Sequence, residues 1–211
     1  MEGDGDIMKD SFEQTWWDDN LNKSDKFQEY LGWLGDKESD SRIFIKDFVK
    51  NFKVSSIADF GCGPCVDYFS LRDDDYVFDY IGIDSCQHLK EYNESRGVNF
   101  LKSPVENTGL GDGSYELSYS RHVLEHQQSF KDCLSEMIRV AEKYAVHTFF
   151  IKPSEYEKID YQKEDNLYHN QYCKYDIEDF LIDIERVSGF DWLDINESEI
   201  SLIVTLNNNV E

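Results

Sequence analysis

Several groups of residues in this chain have the types and spacing that chemistry requires. Asp59-Phe60-Gly61-Cys62-Gly63 sets a carboxylate just ahead of two glycines, and a second carboxylate, Asp84, follows about twenty residues beyond them. Bare backbone in a glycine turn can approach a nucleotide-bearing ligand, and an acid at that spacing can accept the hydroxyls of a ribose. Cys62-Gly63-Pro64-Cys65 overlaps the turn and spells a dithiol, whose thiol pKa falls when it opens a helix. Cys62, Cys65, Cys86 and His88 make a Cys-x2-Cys...Cys-x-His set of the kind that binds zinc. His122-Val-Leu-Glu125-His126 has the His-x-x-Glu-His pattern of inverted zinc peptidases, which places two histidines on one helix face.

The elements around these residues decide among the readings. Val54, Ile57, Ala58 and Phe60 form a short apolar run that stops at Gly61, as a buried strand does on entering a turn. Tyr80-Ile81-Gly82-Ile83 is a second run, closed by Asp84. A dinucleotide fingerprint wants a third glycine at position 66, where Val66 stands, so the close helix packing that glycine permits is lost. Phe60-Gly61, rather than the tryptophan of thioredoxins, precedes Cys62, and the cysteines read as small residues beside the turn. Zinc on the thiol set would fill the pocket that the glycines open. For a metallopeptidase, no third acidic ligand stands out among 44 acidic residues, and no metal is expected.

What remains, Asp59-x-Gly61-x-Gly63, resembles the first motif of class I S-adenosylmethionine-dependent methyltransferases, including those with the small type 11 domain. Asp84 in Tyr80-Ile-Gly-Ile-Asp84 looks like their ribose-binding acid, and Ser120-Arg121-His122-Val123-Leu124-Glu125-His126 resembles the segment after their fourth strand. The resemblance covers most of residues 40–206. It departs from the family at Cys65, where many members carry glycine, and at Pro104, where the family commonly has an aspartate for the adenine amino group. It implies that Asp59 holds the methionine ammonium, that Gly61, Cys62 and Gly63 give backbone contact, and that Asp84 and Ser85 meet the ribose. Val105 and Glu106 would meet the adenine, and Ser120 would flank the sulfonium. His122 and His169 are the candidates for catalysis. Trp16, Trp17, His126, Tyr168 and Tyr172 are the candidates for the acceptor side.

Composition narrows the partners. The chain carries 21 basic and 44 acidic residues, a formal charge of −23, which disfavours nucleic acid and anionic membranes. A small-molecule acceptor is expected, and a basic protein acceptor is the alternative that the negative field would attract. No apolar run approaches the ~20 residues of a membrane span, no secretion signal opens the chain, and five cysteines fit a reducing, cytoplasmic setting.

Along the chain, strands alternate with helices, which predicts a parallel sheet with helices on both faces. Helices are expected at 39–52, 65–71, up to about 95, 130–143 and 176–187. Strands are expected at 77–83, 98–101, 115–119, 145–151, 190–195 and 200–206. The resemblance makes this a Rossmann-like α/β fold with a seven-stranded, mostly parallel sheet and an antiparallel C-terminal strand. Residues 1–38 read as an N-terminal helical cap, 39–211 as the methyltransferase domain, and 152–175 as a polar insert at the acceptor site. A cofactor-binding module without turnover and a dithiol oxidoreductase using Cys62 and Cys65 are the competing functions.

Overall fold

The apolar run that ends at Gly61 is the centre of the sheet. In the computed structural model, which describes residues 24–163 and 167–207, it forms β1, Ser56–Phe60, buried from Ile57 onward. Strands β2 (Asp79–Asp84), β3 (Phe100–Lys102), β4 (Tyr115–Arg121) and β5 (Ala141–Phe149) run parallel to it. β8 (Val187–Asp194) and β9 (Ile200–Leu206) close the sheet as an antiparallel hairpin. The order is β3-β2-β1-β4-β5-β9-β8. This is the mostly parallel seven-stranded, Rossmann-like sheet expected from the sequence, with the chain reversing direction across the sheet between β1 and β4.

Two apolar layers bury the sheet, one on each face. Phe27 of α1 (Ser24–Leu34), Ile45, Phe48 and Val49 of α2 (Asp40–Asn51), Leu71 of α3 (Val66–Asp73) and Leu89 of α4 (Gln87–Ser95) cover one side. Leu134, Met137 and Ile138 of α5 (Phe130–Val140) and Ile177 and Leu181 of α6 (Lys174–Ile182) cover the other. Side chains alternate between these layers with the strand period of two. Leu117 and Tyr119 face α2, whereas Ser118 and Ser120 share the opposite face.

Several boundaries differ from the sequence expectation. The helix expected to reach Lys143 ends at Val140, and β5 begins at once with Ala141, because Ala141 pairs with Tyr115 in the sheet. Val77 is 90% exposed and lies outside β2. Val187 opens β8 instead of closing a helix. His122-x-x-Glu125-His126 is not helical along its length: His122 has φ +59° and a 3-10 turn covers only Leu124–His126, so the shared helical face of the two histidines does not form.

The insert after β5 carries a short hairpin, β6 (Tyr161–Gln162) with β7 (Leu167–Tyr168), and it is stapled to that 3-10 turn. The Glu125 carboxylate, fully buried, accepts from the Phe150 amide at 2.6 Å, the Ile151 amide at 3.3 Å and His147 Nε2 at 3.2 Å. Asn170 donates its amide to the Glu125 carbonyl and its Nδ2 to the Gln127 carbonyl. Burial raises the Glu125 pKa most strongly of any single cause, but the hydrogen bond and charge of His147, a backbone hydrogen bond and the charge of His122 together outweigh it and hold the carboxyl below the usual range. Deleting that carboxylate strands the buried His147 and the part-buried Phe150 and Ile151 amides. Glu125→Ala is therefore expected to cost about 3 kcal/mol or more in urea unfolding, whereas Glu125→Gln, which keeps one acceptor oxygen, should cost less.

Candidate active site

The parallel register decides what reaches the carboxyl edge. Phe60 pairs with Ile83 on one side and Ser120 on the other, so Gly61, Asp84 and Arg121 emerge at one level. They open into a cleft of about 350 Å³ that Tyr30, Arg42 and Asp67 line from α1, α2 and α3.

The turn after β1 is shaped by steric demands. Gly61 (φ +68°) and Gly63 (φ +51°) adopt left-handed conformations. A Cβ on Gly61 would stand 2.4 Å from Val123 Cγ2, so a side chain there would push the turn off the β4 exit. The amides of Gly61 and Cys62 donate to the Ile83 carbonyl at 2.8 and 3.1 Å, and Asn93 Nδ2 donates to the Gly63 carbonyl at 2.8 Å. Asp84 joins the turn to β2: its Oδ2 accepts from the Gly63 amide at 3.2 Å and its Oδ1 from the Cys86 amide at 3.0 Å.

Charge gathers at one end. Asp59, 3% exposed, accepts from the Tyr80 hydroxyl at 2.6 Å. Burial, with Asp67 nearby, pushes its pKa up to about 8 against the opposing pull of Tyr80 and Arg42. Arg42 pairs with Asp67 Oδ2, while Asp67 Oδ1 is buried with no hydrogen-bond partner among the described residues. That oxygen and the protonated Asp59 suit a cation carrying N–H donors, and the Arg42 guanidinium beside them suits a carboxylate.

At the other end, Phe150 stands between the rings of His122 (5.1 Å between centroids), His126 (5.3 Å) and His169 (6.1 Å). His126 Nδ1 donates to the Tyr168 carbonyl at 2.8 Å, and burial lowers its pKa. Gln162 Nε2 lies 2.7 Å from His169 Nδ1. His122 Nε2 lies 2.7 Å from Glu199 Oε1.

Of the residues singled out in the sequence, Asp59, Gly61, Cys62, Gly63, Asp84, Ser85, Val105, Glu106, His122, His126 and His169 line this cleft. Three others do not. Ser120 projects to the α5 face, where its hydroxyl lies 2.6 Å from His147 Nδ1 and contacts Met137, because the strand period turns residue 120 away from the side that residue 121 occupies. Tyr172 is 1% exposed and donates its hydroxyl to the Leu124 and Gln127 carbonyls, so it braces the insert and cannot meet an acceptor. Tyr168 stacks its ring on Tyr161 at 4.9 Å and faces the cleft only through its carbonyl bond to His126. Trp16 and Trp17 lie outside the described residues. Ser103 uses its hydroxyl on the Asn107 carbonyl, and the loop lines the cleft with Pro104, Val105 and Glu106.

The sequence reading missed Arg42, Asp67, Arg121, Phe150 and Glu199. Alternation along β4 was a usable signal for Arg121; the others come from distant segments and had none. Ser120, His147 and Glu125 form a serine, histidine and carboxylate chain, but all three are buried and none of them lines the cleft, so they brace the core. Among the described residues no group of three or more histidine, cysteine, aspartate or glutamate side chains is placed to hold a metal ion, and His88 packs on Phe27. Cys62 and Cys65 are free thiols; Cys65 is fully buried and burial raises the Cys62 pKa, the reverse of an activated dithiol.

Because the Asp59 pKa is raised in the folded state from its ordinary 3.8, its contribution to stability is whole below about pH 4 and is lost as pH rises through about 8. Asp59→Asn removes this titration. Urea unfolding at about pH 5 and about pH 8.5 should therefore show wild type losing at least ~1 kcal/mol relative to the variant as pH rises. Gly61→Ala should lower stability by about 1–3 kcal/mol, through the contact with Val123 and the left-handed backbone.

Residues 58–147 match the methyltransferase domain family designated Methyltransf_11. Burkholderia thailandensis 1,6-didemethyltoxoflavin-N1-methyltransferase, solved with 1,6-didemethyltoxoflavin and S-adenosylhomocysteine, superposes with a TM-score of 0.67 at 9% identity over 97% of this chain and 93% of that one. The plantazolicin methyltransferase BpumL with S-adenosylhomocysteine gives 0.65 at 14% identity, over 93% and 94%. A longer Nostoc punctiforme protein, described provisionally as an O-methyltransferase, gives 0.62 at 10% identity; 79% of this chain spans 56% of its length. No curated protein matches in sequence. The family match runs from β1 into β5, over the strands that build the cleft, and the likeness to these solved structures is one of fold.

Proposed function

We propose that the cleft binds S-adenosylmethionine and that the protein transfers its methyl group to a small-molecule acceptor. The observation that carries this reading is that Asp59 and Asp84 open into one cleft with the Gly61–Gly63 backbone between them. Asp84 takes the ribose hydroxyls, held in place by the Gly63 and Cys86 amides. Asp59 and the unpartnered oxygen of Asp67 take the ammonium of the methionine moiety, and Arg42 takes its carboxylate. Val105 and Glu106 flank the adenine. When bound, the cofactor supplies a methyl group on a sulfonium that is already a good leaving group. The protein's work is then to align the acceptor and keep water out.

The acceptor lies against Phe150, His122, His126 and His169, with Tyr30 of the N-terminal helical segment and the insert framing the entrance. An aromatic wall of this kind suits a flat small molecule, while the chain's −23 charge makes a basic protein the second class of acceptor and disfavours nucleic acid. Among the described residues no helix is long and apolar enough to cross a membrane. The free thiols support a reducing, cytoplasmic setting.

Calorimetric titration with S-adenosylmethionine and S-adenosylhomocysteine tests the cofactor assignment. Asp84→Ala should weaken both by about 1.5–3 kcal/mol, through loss of charged hydrogen bonds. An ammonium beside Asp59 favours its ionised form, so binding near neutral pH should release a proton. The apparent enthalpy should then vary with the ionisation enthalpy of the buffer in wild type and lose that dependence in Asp59→Asn.

A further inference from the structure

Three histidines surround Phe150 in the cleft, and what stands behind each of them differs: against His169 Nδ1 lies Gln162 Nε2. His126 is backed by a carbonyl, that of Tyr168, and is held uncharged by burial. His122 is backed by a carboxylate. Glu199, at the entry to β9 and 9% exposed, accepts from His122 Nε2 at 2.7 Å and Ser41 Oγ at 2.9 Å through Oε1, and from Asn196 Nδ2 at 2.8 Å through Oε2. Ser41 is itself oriented by Arg121 Nε at 2.9 Å. Segments distant in sequence thus converge on one oxygen pair whose surroundings are all donors, and that fixes the carboxylate as ionised and the His122 proton on Nε2. In the neutral ring the lone pair is then on Nδ1. His122 also holds φ +59°, a backbone strain that recurs where a side chain is aimed for function, and its amide is anchored to the Thr148 carbonyl at 2.9 Å.

Resting on the methyl-transfer reading above, we propose that His122 is the general base of this site, that Glu199 is its positioning residue, and that the acceptor is a flat conjugated ring bearing an ionisable O–H or N–H. As the acceptor oxygen or nitrogen bonds to the methyl carbon, the carbon–sulfur bond breaks and its electron pair stays on sulfur. The acceptor proton passes to His122 Nδ1. Positive charge therefore leaves the sulfonium and appears on the imidazole, where Glu199 is already in place to stabilise it. An amine acceptor that enters uncharged needs no such base. Phe150, between the histidine rings, gives the conjugated ring a stacking surface.

Two measurements on the full chain test this. In protein labelled with nitrogen-15 at histidine, with assignment by His122→Gln, the neutral His122 ring should show an exchange-protected proton on Nε2 and none on Nδ1. Glu199→Ala should remove that protection. A proton on Nδ1, or an unprotected Nε2 proton in wild type, overturns the dyad. The acceptor class is read with 4-nitrophenol added to protein saturated with S-adenosylhomocysteine at about pH 6. Beside a base backed by a carboxylate, the ratio of phenolate to phenol should rise at least about threefold over buffer. His122→Gln and Glu199→Gln should abolish the rise. An absorbance spectrum identical to that in buffer overturns the acidic-acceptor class. The wild-type spectra decide even if the Glu199 variants fail to fold. The tautomer measurement does not involve the cofactor, so a protein that fails to bind S-adenosylmethionine yet shows the Nε2 proton contradicts the function above and leaves the dyad standing.

Discussion

Everything at the carboxyl edge depends on the pairing of β1 with β2 and β4 in one parallel register. Strand ends set level with one another put two carboxylates, a guanidinium and an imidazole around one opening, although their residues are scattered from 59 to 122 in the sequence. Shifting a strand by one residue would turn each of these side chains to the opposite face. Gly82 shows how tightly the register is packed: a Cβ there would stand 2.8 Å from Cys62 Sγ and 2.9 Å from Cys65 Sγ. The two cysteines thus fill the space over a bare strand position, which accounts for their place in the turn by shape alone.

The electrostatics of the cleft follow from burial. A carboxylate as deeply placed as Asp59, beside Asp67, carries a high cost for its charge and holds its proton more tightly than an exposed acid does. The chain accepts this strain where a cation would relieve it, and Arg42 prevents the cluster from repelling a zwitterion with its own carboxylate. The chain's overall negative charge gives the opening a field that favours positively charged ligands, while local cations at Arg42 and Arg121 shape the interior. Opposite this end, the cleft is walled by aromatic rings and by histidines tied to the backbone and to Glu199, so polarity changes from charged to aromatic along its length.

Much of this was legible in the sequence, for physical reasons. Buried parallel strands read as short apolar runs, and Gly61 and Gly63 announce left-handed backbone, so β1, its turn and Asp84 could be placed before any coordinates. Ser120 was misplaced because a motif was followed where strand alternation should have ruled. Tyr172 was misplaced because aromatic residues of an insert serve equally to brace it. Arg42 and Glu199 were out of reach: one is a polar residue on an amphipathic helix, the other one acid among 44, and only the tertiary fold brings Arg42 to the cleft and Glu199 behind His122. The His-x-x-Glu-His pattern resembled metal chemistry until the backbone turned at His122 and buried Glu125 beneath the insert.

The central claim is that Asp59 and Asp84 hold opposite ends of one nucleoside cofactor. A crystal structure of the protein with S-adenosylhomocysteine tests it most directly. The account predicts the ribose hydroxyls on Asp84 and the amino-acid ammonium at Asp59 and Asp67, with the sulfur directed toward Phe150 and His122. A nucleoside seated elsewhere, or an Asp84 carboxylate turned away from the ribose, would contradict it.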